Sequence, residues 1–374
     1  MSNNKIRVGI THGDINGIGY EVILKTFEDP RMAEMCTVIV YGSQKIASFY
    51  RKAMELPAVQ MNRIDSAADA KENQVNIINV VGEDVKIEPG IESSEAGAAA
   101  FAALESAVAD LRAGEIDVLV TAPIDKHAIQ SPTFQFPGHT EYLESSFAVD
   151  SENGSADGQS ASKALMILCT ENLRVALATS HIPIAEVPGR LTKELIVEKL
   201  TAFNRSLHRD FNVQSPRIAV LSLNPHAGEN GLLGSEEKEI IAPAIAEAFE
   251  NKILAFGPYP SDGFFGSGNY TKFDGILAMY HDQGLTPFKA LAMDAGVNFT
   301  AGLPYVRTSP DHGTGFDIAG KGVASPESLR CAVYAAVDIY RNRRNEDAAH
   351  RHPLRRQYHN KGNDNVVLDL TDSE

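Results

Sequence analysis

The sequence predicts an α/β protein built on a largely parallel sheet and divided into two lobes. Three observations predict it. Short β-branched apolar runs alternate with stretches of helical periodicity, and the runs end in loops containing Gly, Pro and Asn. At 374 residues the chain is long enough for a sizeable core and too long for one simple domain.

Taken in order, the apolar runs are residues 6–10, 37–41, 75–81, 117–120, 164–168, 174–178, 217–221 and 275–279. Each is short, rich in Val, Ile and Leu, and reads as a buried strand. Between them, helical periodicity marks residues 97–112 (GAAAFAALESAVADLR), 193–207 and 236–251, and Pro137-Gly138-His139-Thr140-Glu141 opens a further helix. Residues 150–162 (DSENGSADGQSAS) are small, polar and glycine-rich, and read as an exposed loop. From about His350 to the end the chain is charged and lacks helical periodicity until VVLDL, so His350, His352 and His359 read as part of a solvated tail rather than a metal site. No repeat at a fixed period is present.

Composition narrows the partners. The formal net charge of -15 argues against nucleic acid or an anionic membrane surface. A phosphorylated ligand would need Lys and Arg concentrated in one cleft. The opening MSNNKIRVGITHGD lacks the features of a secretory signal, and no run of about 18 apolar residues exists to span a bilayer. Cys36, Cys169 and Cys331 are scattered and read as buried thiols in a reducing compartment. A cytoplasmic location is the expectation.

The most informative pattern is three strands that each lead to a histidine. Run 174–178 leads to His181, run 217–221 to Asn224-Pro225-His226-Ala227-Gly228, and run 275–279 to His281-Asp282-Gln283-Gly284. In open α/β sheets the ligand crevice lies beyond the carboxyl ends of the strands. Three imidazoles with open positions are the pattern of a catalytic divalent metal. Singly, each histidine reads as a loop or capping residue; as a trio they point to a shared site.

Other loops add polar groups. Lys126 follows run 117–120, and His139 and Thr140 sit where helix N–H groups and a partial positive charge suit an anion, although Thr140 reads equally as a cap. Lys289, Asn298 and Arg307 follow His281, and the two cations suit phosphate, Arg bidentately. Glycine loops flank the chain at 11–21 and 311–322, and neither matches the Rossmann or phosphate-loop spacing. The first reads as a tight strand-to-helix turn, the second as a structural or nucleotide-binding loop.

The strings GDINGIGYE, TAPIDK, PGHTEYL, LATSHIPI, LNPHAGENGLLGSEE, GPYPSDGFF, MYHDQGLTPFKAL and VNFTAGLPYVRTSPDHGTGFDIAGKG closely resemble the 4-hydroxythreonine-4-phosphate dehydrogenase family of vitamin B6 synthesis. The likeness runs in order from about Val8 to about Ser325, and NPHAGE, YHDQG and DHGT-x-FDIAGKG are chemically unusual together. The glycine loops also look like those of isocitrate and isopropylmalate dehydrogenases. That implies their non-Rossmann, two-subdomain α/β/α fold, with residues 1–135 plus 305–374 on the cofactor-loop side and 136–304 carrying metal, substrate and dimer contacts. The resemblance implies metal ligands His181, His226 and His281. It implies substrate contacts at His139, Thr140, Lys289, Asn298 and Arg307, and a cofactor loop with His312, Gly313, Thr314 and Asp317. Asp282 and Lys126 are the acid–base candidates, Asp282 reading equally as a residue that orients its neighbour.

The implied activity is NAD- or NADP-linked oxidation of 4-phosphooxy-L-threonine followed by decarboxylation. The implied cofactors are the nicotinamide and one divalent ion (Zn, Mg, Co or Mn). The implied assembly is a homodimer with ligands drawn from both chains. Rival readings are a paralogous dehydrogenase acting on 4-phosphothreonate, 4-phosphoerythronate or a cis-dihydrodiol, and a redox-inactive metal hydrolase or lyase. Ile15, Asn16 and Tyr20 stand at the family's usual proline, alanine and proline, Gly315 replaces a common alanine, and 150–162 looks inserted. None of these removes a metal- or phosphate-binding group.

Overall fold

The structure is a computed structural model that describes residues 5–82, 84–154 and 164–351. Its strands are β1 (Arg7–Thr11), β2 (Thr37–Gly42), β3 (Met61–Ile64), β4 (Val75–Asn79), β5 (Val118–Thr121), β6 (Leu165–Cys169), β7 (Arg174–Leu177), β8 (Arg217–Leu221), β9 (Leu254–Tyr259), β10 (Gly275–Ala278), β11 (Val297–Ala301) and β12 (Val306–Pro310). They form one 12-stranded sheet in the order β3-β4-β2-β1-β5-β12-β11-β6-β7-β10-β8-β9. Pairing is parallel except where β11 meets β12 and β6, and where β6 meets β7. The architecture is mixed α/β with a largely parallel sheet, as the alternation of runs and helices predicts, and all eight apolar runs coincide with strands.

Burial explains why those runs were readable. Every residue of β2, β5 and β10 is buried, as expected for strands covered by helices on both faces. The helix Ser94–Ala113 starts at Ser93, whose Oγ accepts the Ala96 N–H, and ends at Gly114 with φ 75°. Its buried face, Ala96, Ala99, Ala100, Ala103, Leu104, Ala107 and Leu111, follows the three-and-four spacing and is mostly alanine, so it lies close on the sheet. The helix Lys193–Arg209 is capped by Thr192 and buries Ile196, Leu200, Phe203 and Leu207 on the other half. Each large side chain fully buried there contributes roughly 1.5–3 kcal/mol.

Three expectations change. The helix opened by His139 runs to Gly154, into the stretch 150–162 read as a loop, the rest of which lies outside the described residues. The 236–251 helix is a π-helical turn, Glu237–Ile241, followed by an α-helix, Ala242–Glu250. The helix Glu327–Arg351 carries through His350, whose Nδ1 lies 2.9 Å from the Glu346 carbonyl oxygen, so that residue is not in a tail. His352, His359 and VVLDL lie outside the described residues.

β11 (VNFTA) and β12 (VRTSP) escape a search for apolar runs because buried Thr300, Arg307, Thr308 and Ser309 interrupt them. Polar residues belong in a central strand only where partners satisfy them. Here Arg307 and Ser309 line the site described next, Thr300 accepts from Arg307, and Thr308 Oγ1 donates to the Ala332 carbonyl oxygen at 2.8 Å.

Candidate active site

At the middle of the sheet, a cleft of about 250 Å³ opens where β5, β12 and β11 lie side by side. β5 ends at Thr121 and β12 runs parallel to it, so both deliver their carboxyl ends there. β11 runs the other way and brings its start, Asn298, opposite Ser309. Lys126, His139, Lys289, Asn298, Arg307, His312 and Gly313 all line this cleft; Thr140, next to His139, does not.

Arg307 is 3% exposed. Its Nε and Nη2 donate to Thr121 Oγ1 at 3.1 and 2.6 Å, and its Nη1 donates to Thr300 Oγ1 at 3.1 Å. Among the described residues it forms no ion pair, so hydroxyls alone hold a buried guanidinium. Burial pulls its pKa down to about 10, and the charge of Glu141 opposes that. A buried cation without a counter-ion is costly unless an anion completes it. Lys289 adds a second cation, with Nζ 3.4 Å from Asp311 Oδ1. Burial raises the Asp311 carboxyl, and Lys289 works against that rise.

Three further atoms face the cleft without partners. His139 Nε2, Asn298 Oδ1 and His312 Nε2 are buried and make no hydrogen bond among the described residues. Burial holds both imidazoles below their usual range, with Arg307 and Lys126 adding to the effect on His139. Neutral rings and an amide oxygen beside two or three cations suit a polar, anionic ligand with hydroxyl and amine groups.

The second cluster lies where β7, β10 and β8 run side by side and parallel. His181, His226 and His281 leave their carboxyl ends, so the three imidazole-bearing loops share one edge. Hydrogen bonds lace these loops together. Thr179 Oγ1 donates to the Met279 carbonyl oxygen at 2.7 Å, Met279 N–H donates to Gln283 Oε1 at 2.8 Å, and Gln283 Nε2 donates to the Ser222 carbonyl oxygen. The His181 and His281 rings are 5.7 Å apart between centroids. Burial, then Lys126 and His281, hold His181 below its usual range, which favours the neutral ring, the form in which an imidazole can bind a metal. Asp282 Oδ1 lies 2.7 Å from His281 Nδ1, leaving Nε2 as the outward nitrogen.

His226 is not gathered with that pair. Among the described residues no group of three or more His, Cys, Asp or Glu is placed to hold a metal ion. His226 instead opens a turn in which His226, Ala227, Gly228, Glu229 and Asn230 have φ of 52, 51, 73, 42 and 59°, with Gly231 at 98°. Left-handed backbone costs roughly 1–2 kcal/mol for each ordinary L-residue and is normally visited singly. So long a stretch persists only where its surroundings impose it.

The two glycine loops meet. Ile18 N–H donates to the Thr314 carbonyl oxygen at 2.9 Å, and a Cβ on Gly17 would lie 2.7 Å from that oxygen. Gly19 packs on the His12 carbonyl oxygen, where a Cβ would come within 2.0 Å. These glycines are therefore needed for close backbone approach as well as for the turn. Lys25 Nζ donates to the Gly322 and Ala324 carbonyl oxygens at 2.8 and 2.7 Å, tying the far end of the second loop to the first helix. The loop leads from His312 and Gly313 in the cleft wall to Thr314, half-buried, and Asp317, exposed.

Sequence reasoning assigned no role to Thr121, Thr300, Asp311, Gln283 or Glu237, although all five lie in segments quoted above; their signal is polarity inside largely buried segments.

The model of the family described as "Pyridoxal phosphate biosynthetic protein PdxA" matches residues 34–336. A 4-hydroxythreonine-4-phosphate dehydrogenase of Bacteroides thetaiotaomicron is 57% identical over 99% of this chain and 98% of its own. The crystal structure of the Klebsiella pneumoniae 4-hydroxythreonine-4-phosphate dehydrogenase superposes with a TM-score of 0.75 at 33% identity, covering 90% of this chain and 100% of that one. A terephthalate 1,2-cis-dihydrodiol dehydrogenase of Burkholderia xenovorans superposes with a TM-score of 0.56 at 25% identity, covering 89% and 98%.

Proposed function

The chain belongs to the pyridoxal phosphate biosynthetic protein PdxA family, and from that premise we propose that it is a 4-hydroxythreonine-4-phosphate dehydrogenase. It oxidises 4-phosphooxy-L-threonine at C3, hydride passing to a nicotinamide and the hydroxyl proton to a base. The product, 2-amino-3-oxo-4-phosphooxybutanoate, is a β-keto acid that loses carbon dioxide to give 3-amino-2-oxopropyl phosphate. The observation that carries this reading is the cleft in which Arg307 and Lys289 sit beside three partnerless polar atoms.

Arg307 and Lys289 bind the phosphate and carboxylate ends of the substrate, and His139, Thr140 and Asn298 take its hydroxyl and amino groups. Fixing both ends orients C3 toward the cofactor loop of His312, Gly313, Thr314 and Asp317. His181, His226 and His281 hold a divalent ion, which when bound supplies Lewis acidity toward the reacting oxygen. The donor chemistry fits, with imidazoles of which His181 is held neutral and Asp282 orients His281. Asp282 and Lys126 are the two acid–base candidates, Asp282 beside His281 and Lys126 lining the cleft. NAD is the proposed acceptor and Zn, Mg, Co or Mn the proposed ion. We place the subdomain division at 1–135 plus 305–374 and 136–304, which separates β12 from β11 at the cleft.

A homodimer whose metal ligands come from both chains fits a pair, His181 and His281, that no third such residue joins among the described residues. None of the described helices is long and apolar enough to cross a membrane, and a cytoplasmic site of action fits the proposed metabolic role. A cis-dihydrodiol substrate is disfavoured because it presents no phosphate to Arg307 and Lys289. A hydrolase or lyase is disfavoured because the full-length relatives bear the name of a dehydrogenase. The test is NADH formation from 4-phosphooxy-L-threonine with a divalent ion, against 4-phosphothreonate, 4-phosphoerythronate and a cis-dihydrodiol, repeated after chelation and metal return. Activity should be confined to the first substrate, vanish with chelator and return with metal. Absence of NADH under all conditions would sink the proposal.

A further inference from the structure

The left-handed turn that carries His226 is braced by one buried carboxylate. We propose that Glu237 is a positioning residue that locks this turn and so fixes how His226 is presented to the metal; this rests on the reading of His226 as a metal ligand. Glu237 is 5% exposed. Its Oε1 accepts the Leu223 and Asn224 N–H groups at 2.8 and 2.7 Å, and its Oε2 accepts Asn224 Nδ2 at 3.0 Å. The carboxylate thus grips the backbone immediately before Pro225 and His226.

The turn closes on the same group from its other side. A Cβ on Gly228 would lie 2.6 Å from Glu237 Oε2, so only glycine lets the backbone rest there. Asn224 Nδ2 donates in addition to Glu236 Oε2 at 2.7 Å, and a Cβ on Gly234 would come within 2.4 Å of Asn224 Nδ2. Gly228 and Asn224 therefore pack on Glu237, and Gly234 packs on Asn224 from behind. Glu237 itself opens the π-helical turn Glu237–Ile241, an irregularity often found at functional sites. A carboxylate confined in this way resists reorientation of the turn, and the left-handed conformations of His226 and Ala227 need such a constraint.

Full-length Glu237→Gln, Gly228→Ala and His226→Ala, each checked by circular dichroism, test this in two measurements. Amide hydrogen exchange at Leu223 and Asn224 in metal-free protein reads the lock, and titration with Co²⁺ reads the metal site. Glu237→Gln and Gly228→Ala should exchange these amides about tenfold faster or more and bind Co²⁺ roughly 10–100-fold more weakly, activity recovering as Co²⁺ is raised. His226→Ala should lose Co²⁺ affinity with exchange at parent rates. Gly228→Ala keeps the carboxylate and carries the test if Glu237→Gln does not fold. Unchanged exchange in the Glu237 and Gly228 variants, or faster exchange with parent Co²⁺ affinity, overturns the proposal. Parent Co²⁺ affinity in His226→Ala overturns instead the ligand reading beneath it, a failure visible in that variant alone.

Discussion

Under the proposed function Arg307 would meet an anionic end of the substrate, since it is buried and held by hydroxyls alone. Charge-assisted hydrogen bonds are worth about 1.5–3 kcal/mol, so Arg307→Ala should lower kcat/KM roughly 10–100-fold. Arg307→Lys should recover only part of it, since an ammonium lacks the planar fork. Steady-state kinetics on both variants check this, and a loss below twofold would remove Arg307 from the site. At the same scale, His12 and Asp14 predict opposing pH effects. His12 is fully buried, and burial pulls its pKa down to about 4. Folding therefore favours the neutral ring: its contribution is intact above about pH 6.5 and is lost as pH falls toward about 4, by an amount on the order of 3 kcal/mol. Burial pushes Asp14 up to about 6, with Asp125 and Glu92 adding to the rise. Its contribution runs the other way, present below about pH 4 and lost as pH rises through about 6. Asp14→Asn should thus be more stable than the parent at neutral pH, the gain fading toward pH 4, while His12→Phe should resist acid better. Denaturant midpoints across that range decide; a pH-independent difference in either variant contradicts the assignment.

Among the elements, the C-terminal helix is tied to the helix Lys193–Arg209 by one buried pair. Arg343 Nε lies 2.6 Å from Asp210 Oδ1, Asp210 Oδ2 accepts Ser206 Oγ at 2.7 Å, and Arg343 Nη1 donates to the Leu303 carbonyl oxygen at 3.1 Å. Removing one member of such a pair leaves the other charge buried, at a cost of about 3–5 kcal/mol. Asp210→Ala should lose that much stability in chemical denaturation, and Asp210→Ala with Arg343→Leu should lose distinctly less. Equal losses would show that the pair does not act as a unit. The helix Ser94–Ala113 serves the site differently. A Cβ on Gly97 would lie 1.9 Å from the Ala128 carbonyl oxygen, so this glycine lets the helix press on the loop that carries Lys126.

For the whole molecule, the decisive question is which copies supply the metal ligands. His181 and His281 lie together while no set of three forms among the described residues of one chain. If each site draws ligands from both subunits of a twofold dimer, two inactive histidine variants from opposite contributions complement each other. Random pairing gives half heterodimers with one intact site of two, so about one quarter of parent activity should return. Coexpression of His181→Ala, His226→Ala and His281→Ala in pairs measures it, and no recovery in any pair would place all three ligands in one chain. The net charge of -15 makes the cationic cleft a local exception, which concentrates an anionic substrate at one place on the surface.

The α/β class, the eight apolar strands and the three histidine loops were legible in the sequence, because strands buried on both faces must be apolar throughout and loop chemistry follows at once. The cleft residues Lys126, His139, Lys289, Asn298, Arg307, His312 and Gly313 were also named there, individually. Only the tertiary structure set β12 beside β5 and β11 antiparallel to it, which brings Arg307, Thr121, Thr300 and Asn298 together from three strands. It alone revealed the left-handed turn at His226 and the carboxylate of Glu237 under it. Strand order and backbone handedness arise from contacts between distant segments, and no local pattern of residue types encodes them.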